Sequence, residues 1–158
     1  MANIFSVQDL AIILRKLQAD GKKVVFTNGV FDIIHRGHVD YLNRARELGD
    51  CLVVAVNSDE SVKRIKGSTR PIVNDDDRAF VVSYIRCVDY VCIFGEATPY
   101  ETIRILQPDI LVKGADWKVE DVVGKDIVEA HGGKVVTIKY IDGRSTTNII
   151  KKILEVMK

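Results

Sequence analysis

Lys22 to His38 reads KKVVFTNGVFDIIHRGH, and the fold is decided by what this stretch joins. Its first part is a continuous apolar run, so Lys23 to Asn28 reads as a strand covered on both faces rather than one. Gly29 permits a tight turn and the close approach of backbone to a ligand. Two of the chain's three histidines, His35 and His38, follow with Gly37 between them.

The same unit recurs along the chain. Further continuous apolar runs lie at Cys51 to Val56 (CLVVAV), Tyr90 to Phe94, Ile110 to Lys113 and Lys134 to Ile138. Helical spacing separates them. Ser6 to Asp20 carries Val7, Leu10, Ile13, Leu14 and Leu17 on one stripe, with Ser6 and Asp9 as a capping pair and Gly21 as the stop. Helices are also predicted over Val39 to Leu48, Ser58 to Lys66, Asp75 to Arg86, Pro99 to Leu106, Val119 to His131 and Thr147 to Met157. The acidic start of the Asp75 helix suits the helix dipole. Alternation of this kind predicts an α/β, Rossmann-like doubly wound fold, a five-stranded parallel sheet with helices on both faces. Such sheets bind ligands beyond the carboxyl ends of their strands. The segments after Asn28, Val56, Phe94, Lys113 and Ile138 are therefore the ones to search.

Bulk properties narrow the function. At 158 residues the chain is read as a single domain, 1–158. Its 23 Lys+Arg against 22 Asp+Glu lack the footprint of a general nucleic-acid binder, so any anion should meet a local cluster of cations. Cys51, Cys87 and Cys92 form no C-x-x-C and read as buried, reduced thiols. No apolar run approaches the roughly 18 residues of a membrane span, and Asp9 and Arg15 flank Ala11 to Leu14 where a signal peptide would be apolar. The expectation is a cytoplasmic protein without nucleic-acid or membrane partners.

Four segments carry the chemistry. His35 and His38 can face one site at a helix start, where free N–H groups also gather, and ring N–H donors there suit charge on a transferring phosphate. Spacing alone equally allows a capping histidine and an unrelated surface one. Ser145, Thr146 and Thr147 in GRSTTNII open the last helix, as phosphate ligands or as ordinary caps. Lys63 to Pro71 (KRIKGSTRP) is a basic loop that closes over a triphosphate or merely meets solvent. In LVKGADW, Gly114 and Asp116 fit a turn against a nucleotide, Lys113 can meet phosphate, and Trp117 either stacks on a ligand or packs in the core.

TNGVFDIIHRGH resembles the T/G-x-G-x-F-D-x-x-H-x-G-H signature of the cytidylyltransferase-like nucleotidyltransferase superfamily. GRSTTNII is similar to that superfamily's I-S-S-T-x-I-R segment, with one departure: Ile150 stands where the family has a cation, and Lys151 follows it. Within the superfamily, KGSTRPI and LVKGADW make the chain most similar to adenylyltransferases acting on heptose 1-phosphate, in their stand-alone form.

The resemblance implies a site and a reaction. His35, His38 and Lys66 are expected to be catalytic. Thr27, Asn28, Gly29, Phe31, Gly37, Lys113, Gly114, Asp116, Ser145, Thr146 and Thr147 are expected to bind nucleotide. Asp32, Asn57, Asp59, Arg70 and Arg78 are expected on the acceptor side. The implied reaction joins AMP from ATP to a heptose 1-phosphate, giving ADP-heptose for a lipopolysaccharide-type glycan and releasing pyrophosphate. Mg²⁺ would arrive on the triphosphate, with no metal ligand from protein side chains. The expected partners are ATP, a sugar 1-phosphate, further copies of the chain, and a separate heptose kinase upstream. A cytidylyltransferase using glycerol 3-phosphate and a non-catalytic nucleotide-binding module are the alternatives. Neither G-x-G-x-x-G nor G-x-x-x-x-G-K-[ST] occurs, which disfavours a dinucleotide dehydrogenase or a P-loop NTPase.

Overall fold

The computed structural model describes residues 3–157. Five strands, β1 (Val24–Gly29), β2 (Cys51–Asn57), β3 (Tyr90–Phe94), β4 (Ile110–Gly114) and β5 (Lys134–Ile138), form one parallel sheet in the order β3-β2-β1-β4-β5. The helices are α1 (Val7–Ala19), α2 (Arg36–Arg46), α3 (Asp59–Lys66), α4 (Asp75–Ser83), α5 (Tyr100–Leu106), α6 (Lys125–Ala130) and α7 (Thr146–Val156). This is the α/β, doubly wound sheet that the apolar runs predict.

Side-chain alternation in the strands divides the core in two. Val24 and Phe26 of β1 join Leu10, Leu14, Ile103 and Val128 beneath α1, α5 and α6. Val25 points the other way, into Leu42, Ala45, Ala79 and Val82 of α2 and α4. Each fully buried Val, Leu or Phe contributes about 1.5–3 kcal/mol. The chain order runs from β1 outward to β3, then returns to start β4 on the other side of β1. The sheet order therefore reverses between β1 and β4, and a crevice opens beyond their carboxyl ends.

Three helices depart from the expectation by three residues or more. α2 starts at Arg36 rather than Val39, because His35 supplies an N-cap that the apolar spacing does not show. α4 stops at Ser83 instead of Arg86. The stretch from Val119 to His131 is not one helix: a 3-10 turn over Val119–Asp121 and α6 are separated by Gly124, whose φ of +89° breaks the helical path.

Candidate active site

The crevice at the switch point is a cleft of about 540 Å³ between the β1–α2 loop, the α3–α4 loop and the β5–α7 loop. His35 and His38 form its back wall. Each ring caps the start of α2: His35 Nδ1 accepts the Gly37 N–H at 3.0 Å, and His38 Nδ1 accepts the His35 N–H at 3.4 Å. The rings stack with centroids 3.9 Å apart. A ring nitrogen that accepts carries no proton, so in the neutral imidazole the proton sits on Nε2. Both histidines are thereby set as Nε2–H donors.

Electrostatics keep the rings neutral. Burial, then the neighbouring His35, lowers the His38 pKa to about 4, with Asp32 opposing. Burial and the charge of Arg144 lower that of His35. The close packing needs Gly37, since a Cβ there would lie 2.9 Å from His35 Cε1 and 3.1 Å from Arg144 Cβ.

Asp32, expected on the acceptor side, lines the cleft and anchors a loop. It is 1% exposed. Its carboxylate accepts the N–H groups of Ile72 (2.9 Å) and Val73 (3.0 Å) and Arg70 Nε (2.8 Å). Burial alone would raise its pKa, but these donors outweigh it and the carboxyl stays below its ordinary value. Phe31 and Ile33 on either side hold φ near +52°, a region in which a β-branched residue is strained. The anchored loop places Arg70, and the end of α3 places Lys66, in the cleft lining with the histidines.

The start of α7 closes the opposite side. Ser145 caps the helix by accepting the Asn148 N–H at 3.1 Å, and the Thr146 hydroxyl donates to the Asp32 carbonyl at 2.5 Å. Ser145, Thr146 and Thr147 all line the cleft, as do Asn28, Gly29, Phe31 and Gly37. Lys113 stands behind Asn28, its Nζ donating to Asn28 Oδ1 at 2.6 Å. Burial lowers the Lys113 pKa to about 8, against the pull of Asp116. Trp117 is 46% exposed, so it is not a core residue.

Several expected residues lie elsewhere. Thr27 is fully buried, its hydroxyl engaged with Tyr41 Oη and the Val112 carbonyl, so it braces β1 against β4 and lies outside the cleft lining. Arg78, expected at an acceptor phosphate, is 1% exposed and donates to the carbonyls of Val73 and Val30 and to Asp59 at 2.8 Å. Asn57 donates to Ser61 Oγ at 3.0 Å. Asn57, Asp59 and Arg78 thus form a structural cluster at the end of β2, outside the cleft lining. Gly114 and Asp116 also lie outside it, although Gly114 shapes it: a Cβ there would sit 2.1 Å from the Tyr140 ring.

Of the cleft-lining residues beyond the sequence expectation, Arg144 and Tyr140 add a cation and an aromatic face. Arg144 lines the cleft just before the N-cap of α7, whereas Lys151 is exposed on the helix away from the cleft lining. The place of Arg144 inside GRSTTNII is the signal that marks it. Tyr140 forms an aromatic wall, 5.2 Å from Tyr41 by ring centroid, and nothing in its spacing marks it.

Residues 26–153 match the cytidylyltransferase-like family profile. Bifunctional protein HldE of Trichlorobacter lovleyi is 53% identical over 92% of this chain, and that of Geobacter metallireducens 52% over 97%. The chain spans about 30% of the length of these relatives. Among solved structures, the lipopolysaccharide core biosynthesis protein of Thermoplasma volcanium is 34% identical, with a TM-score of 0.66 over 77% of this chain and 100% of that one. Pantoate-beta-alanine ligase of Francisella tularensis shares the fold at a TM-score of 0.63 and 16% identity, covering 99% of this chain and 79% of that one. No helix among the described residues is long and apolar enough to cross a membrane.

Proposed function

Because the chain belongs to the cytidylyltransferase-like family of nucleotidyltransferases, we propose that it transfers AMP from ATP to a heptose 1-phosphate, releasing pyrophosphate and forming ADP-heptose. One observation carries the chemistry: two neutral, stacked imidazoles with both Nδ1 atoms engaged direct Nε2–H donors to a cleft that Lys66, Arg70 and Arg144 also line. That set suits a polyphosphate and offers no poised base.

None is needed. An acceptor phosphate is ionised near neutral pH, so one of its oxygens attacks the α-phosphorus in line. The bond from the α-phosphorus to the bridging oxygen breaks, and pyrophosphate leaves with that oxygen. His35 and His38 donate to oxygens that gain charge, already oriented before the reaction begins. Lys66, Arg70 and Arg144 neutralise the triphosphate and hold it against the acceptor. Ser145 and Thr147 add donors at the start of α7, where the helix dipole favours anions. Mg²⁺ carried by the triphosphate would neutralise the departing pyrophosphate. Both oxygens of Asp32 are engaged by the loop, which fits an ion held by phosphate oxygens rather than by this carboxylate.

The heptose reading rests on KGSTRPI and LVKGADW, and on likeness to proteins named HldE and to a lipopolysaccharide core biosynthesis protein. A chain matching about 30% of a bifunctional protein is proposed to carry one of its activities. The sugar would arrive already phosphorylated at its anomeric oxygen, in the cytoplasm. The test is a pyrophosphate-release screen of four nucleoside triphosphates against sugar 1-phosphates and phospho-alcohols. ATP with a heptose 1-phosphate should give the highest kcat/KM. CTP with glycerol 3-phosphate as the best pair would overturn the reading, as would ATP binding without turnover on any acceptor.

A further inference from the structure

Lys113 and Asn28 tie together the two strands between which the sheet order reverses. Lys113 lies near the end of β4, Asn28 near the end of β1, and their side chains meet at 2.6 Å, Nζ to Oδ1. An ammonium has three donors and no acceptor, so only the carbonyl end of the Asn28 amide can meet it. This fixes which way the amide points. Its Nδ2 makes no hydrogen bond to any described residue, and Asn28 lines the cleft while Lys113 does not. The other neighbours of Lys113 do not compete for this contact. The charge acting on it comes from Asp116, and the Trp117 ring lies 5.8 Å from Nζ.

We propose that Lys113 is a positioning residue that holds Asn28 as an N–H donor to a phosphate oxygen in the cleft. The inference rests on the phosphate-transfer reading above and replaces direct contact between Lys113 and the nucleotide. An unrestrained amide can flip and turn its carbonyl oxygen toward the anion, where two negative dipole ends repel. Locked by Lys113, the amide presents only N–H groups, and it adds a third side-chain donor type to the histidines and cations. A hydrogen bond to a charged group contributes roughly 1.5–3 kcal/mol, which corresponds to about a tenfold to hundredfold effect.

The test compares K113M, K113Q and N28D in the full chain. Turnover is read by pyrophosphate release, and anion binding by calorimetry with inorganic tripolyphosphate. K113M should lower kcat about tenfold to hundredfold, with melting temperature as the control for folding. The Gln amide of K113Q can still donate to Asn28 Oδ1, and this variant should restore most of that loss. N28D keeps an acceptor for Lys113 but loses the donor, so both turnover and tripolyphosphate affinity should fall. Equal activity of K113M and K113Q, whether both intact or both impaired, would overturn the proposal. So would an N28D variant that binds tripolyphosphate as the wild type does. If the wild type releases no pyrophosphate with any substrate pair, the functional reading fails. The calorimetric series would still decide the orientation of Asn28.

Discussion

His35 and His38 stack with ring centroids 3.9 Å apart, and each gives its Nδ1 to a backbone N–H at the same helix end. The pair is at once the N-cap of α2 and the back wall of the cleft. The atoms proposed to act in catalysis are the two Nε2–H groups that this capping leaves over. Replacing either ring with alanine should lower kcat about 10²–10³-fold, the usual cost of one preorganised donor. Near-wild-type kcat for H38A would remove the pair from the chemistry.

The neutral state of His38 makes stability depend on pH. The unfolded chain binds a proton near the ordinary histidine value of 6.5, whereas folded His38 does so only near 4. Between these values the unfolded state holds more protons, so stability rises with pH there. The contribution is fully present above 6.5 and is lost as pH falls through about 4. Thermal melts across this window should show a steeper acid loss for the wild type than for H38N. Parallel curves would contradict the assigned protonation.

Asp32 acts through the loop it anchors. Because it is buried with three donors, D32A strands Arg70 and the N–H groups of Ile72 and Val73. Removing one partner of such a buried pair costs about 3–5 kcal/mol. R70A should cost less, since Asp32 keeps its two backbone donors. Denaturant melts of the two variants check the order.

Much of this architecture was legible in the sequence, for a physical reason. A strand buried on both faces must be continuously apolar, and β3 and β5 fall on the residues their runs predict. The double-histidine loop was visible because it is local. The features that sequence does not show depend on long-range placement. Tyr140 faces Tyr41 only because β5 pairs with β4 beside β1. Arg78 looks like an exposed helix cation in DDDRAF, yet two distant carbonyls and Asp59 enclose it. Gly124 breaks a helix whose apolar spacing continues across it.

Arg144 offers a check on the cations that line the cleft. R144A should raise KM for the triphosphate about tenfold, with little change in stability, because its side chain forms no ion pair among the described residues. It should also relieve the charge that lowers the His35 pKa. An NMR titration of the His35 ring would then show a higher midpoint than in the wild type.

Arg78 should behave in the opposite way. R78M removes three hydrogen bonds from a side chain that is 1% exposed, and each unsatisfied partner costs about 1–3 kcal/mol. A large fall in denaturant midpoint is expected, with the KM for acceptor in the remaining folded protein close to wild type. A selective rise in acceptor KM at unchanged stability would return Arg78 to the acceptor site.

The proposed adenylyl transfer to a sugar phosphate can be followed by phosphorus NMR of a single reaction. Incubated with ATP, Mg²⁺ and a heptose 1-phosphate, the protein should produce the coupled diphosphate signals of ADP-heptose and pyrophosphate in equal amounts. Signals of that kind only with CTP and a phospho-alcohol, or none with any pair, would contradict it.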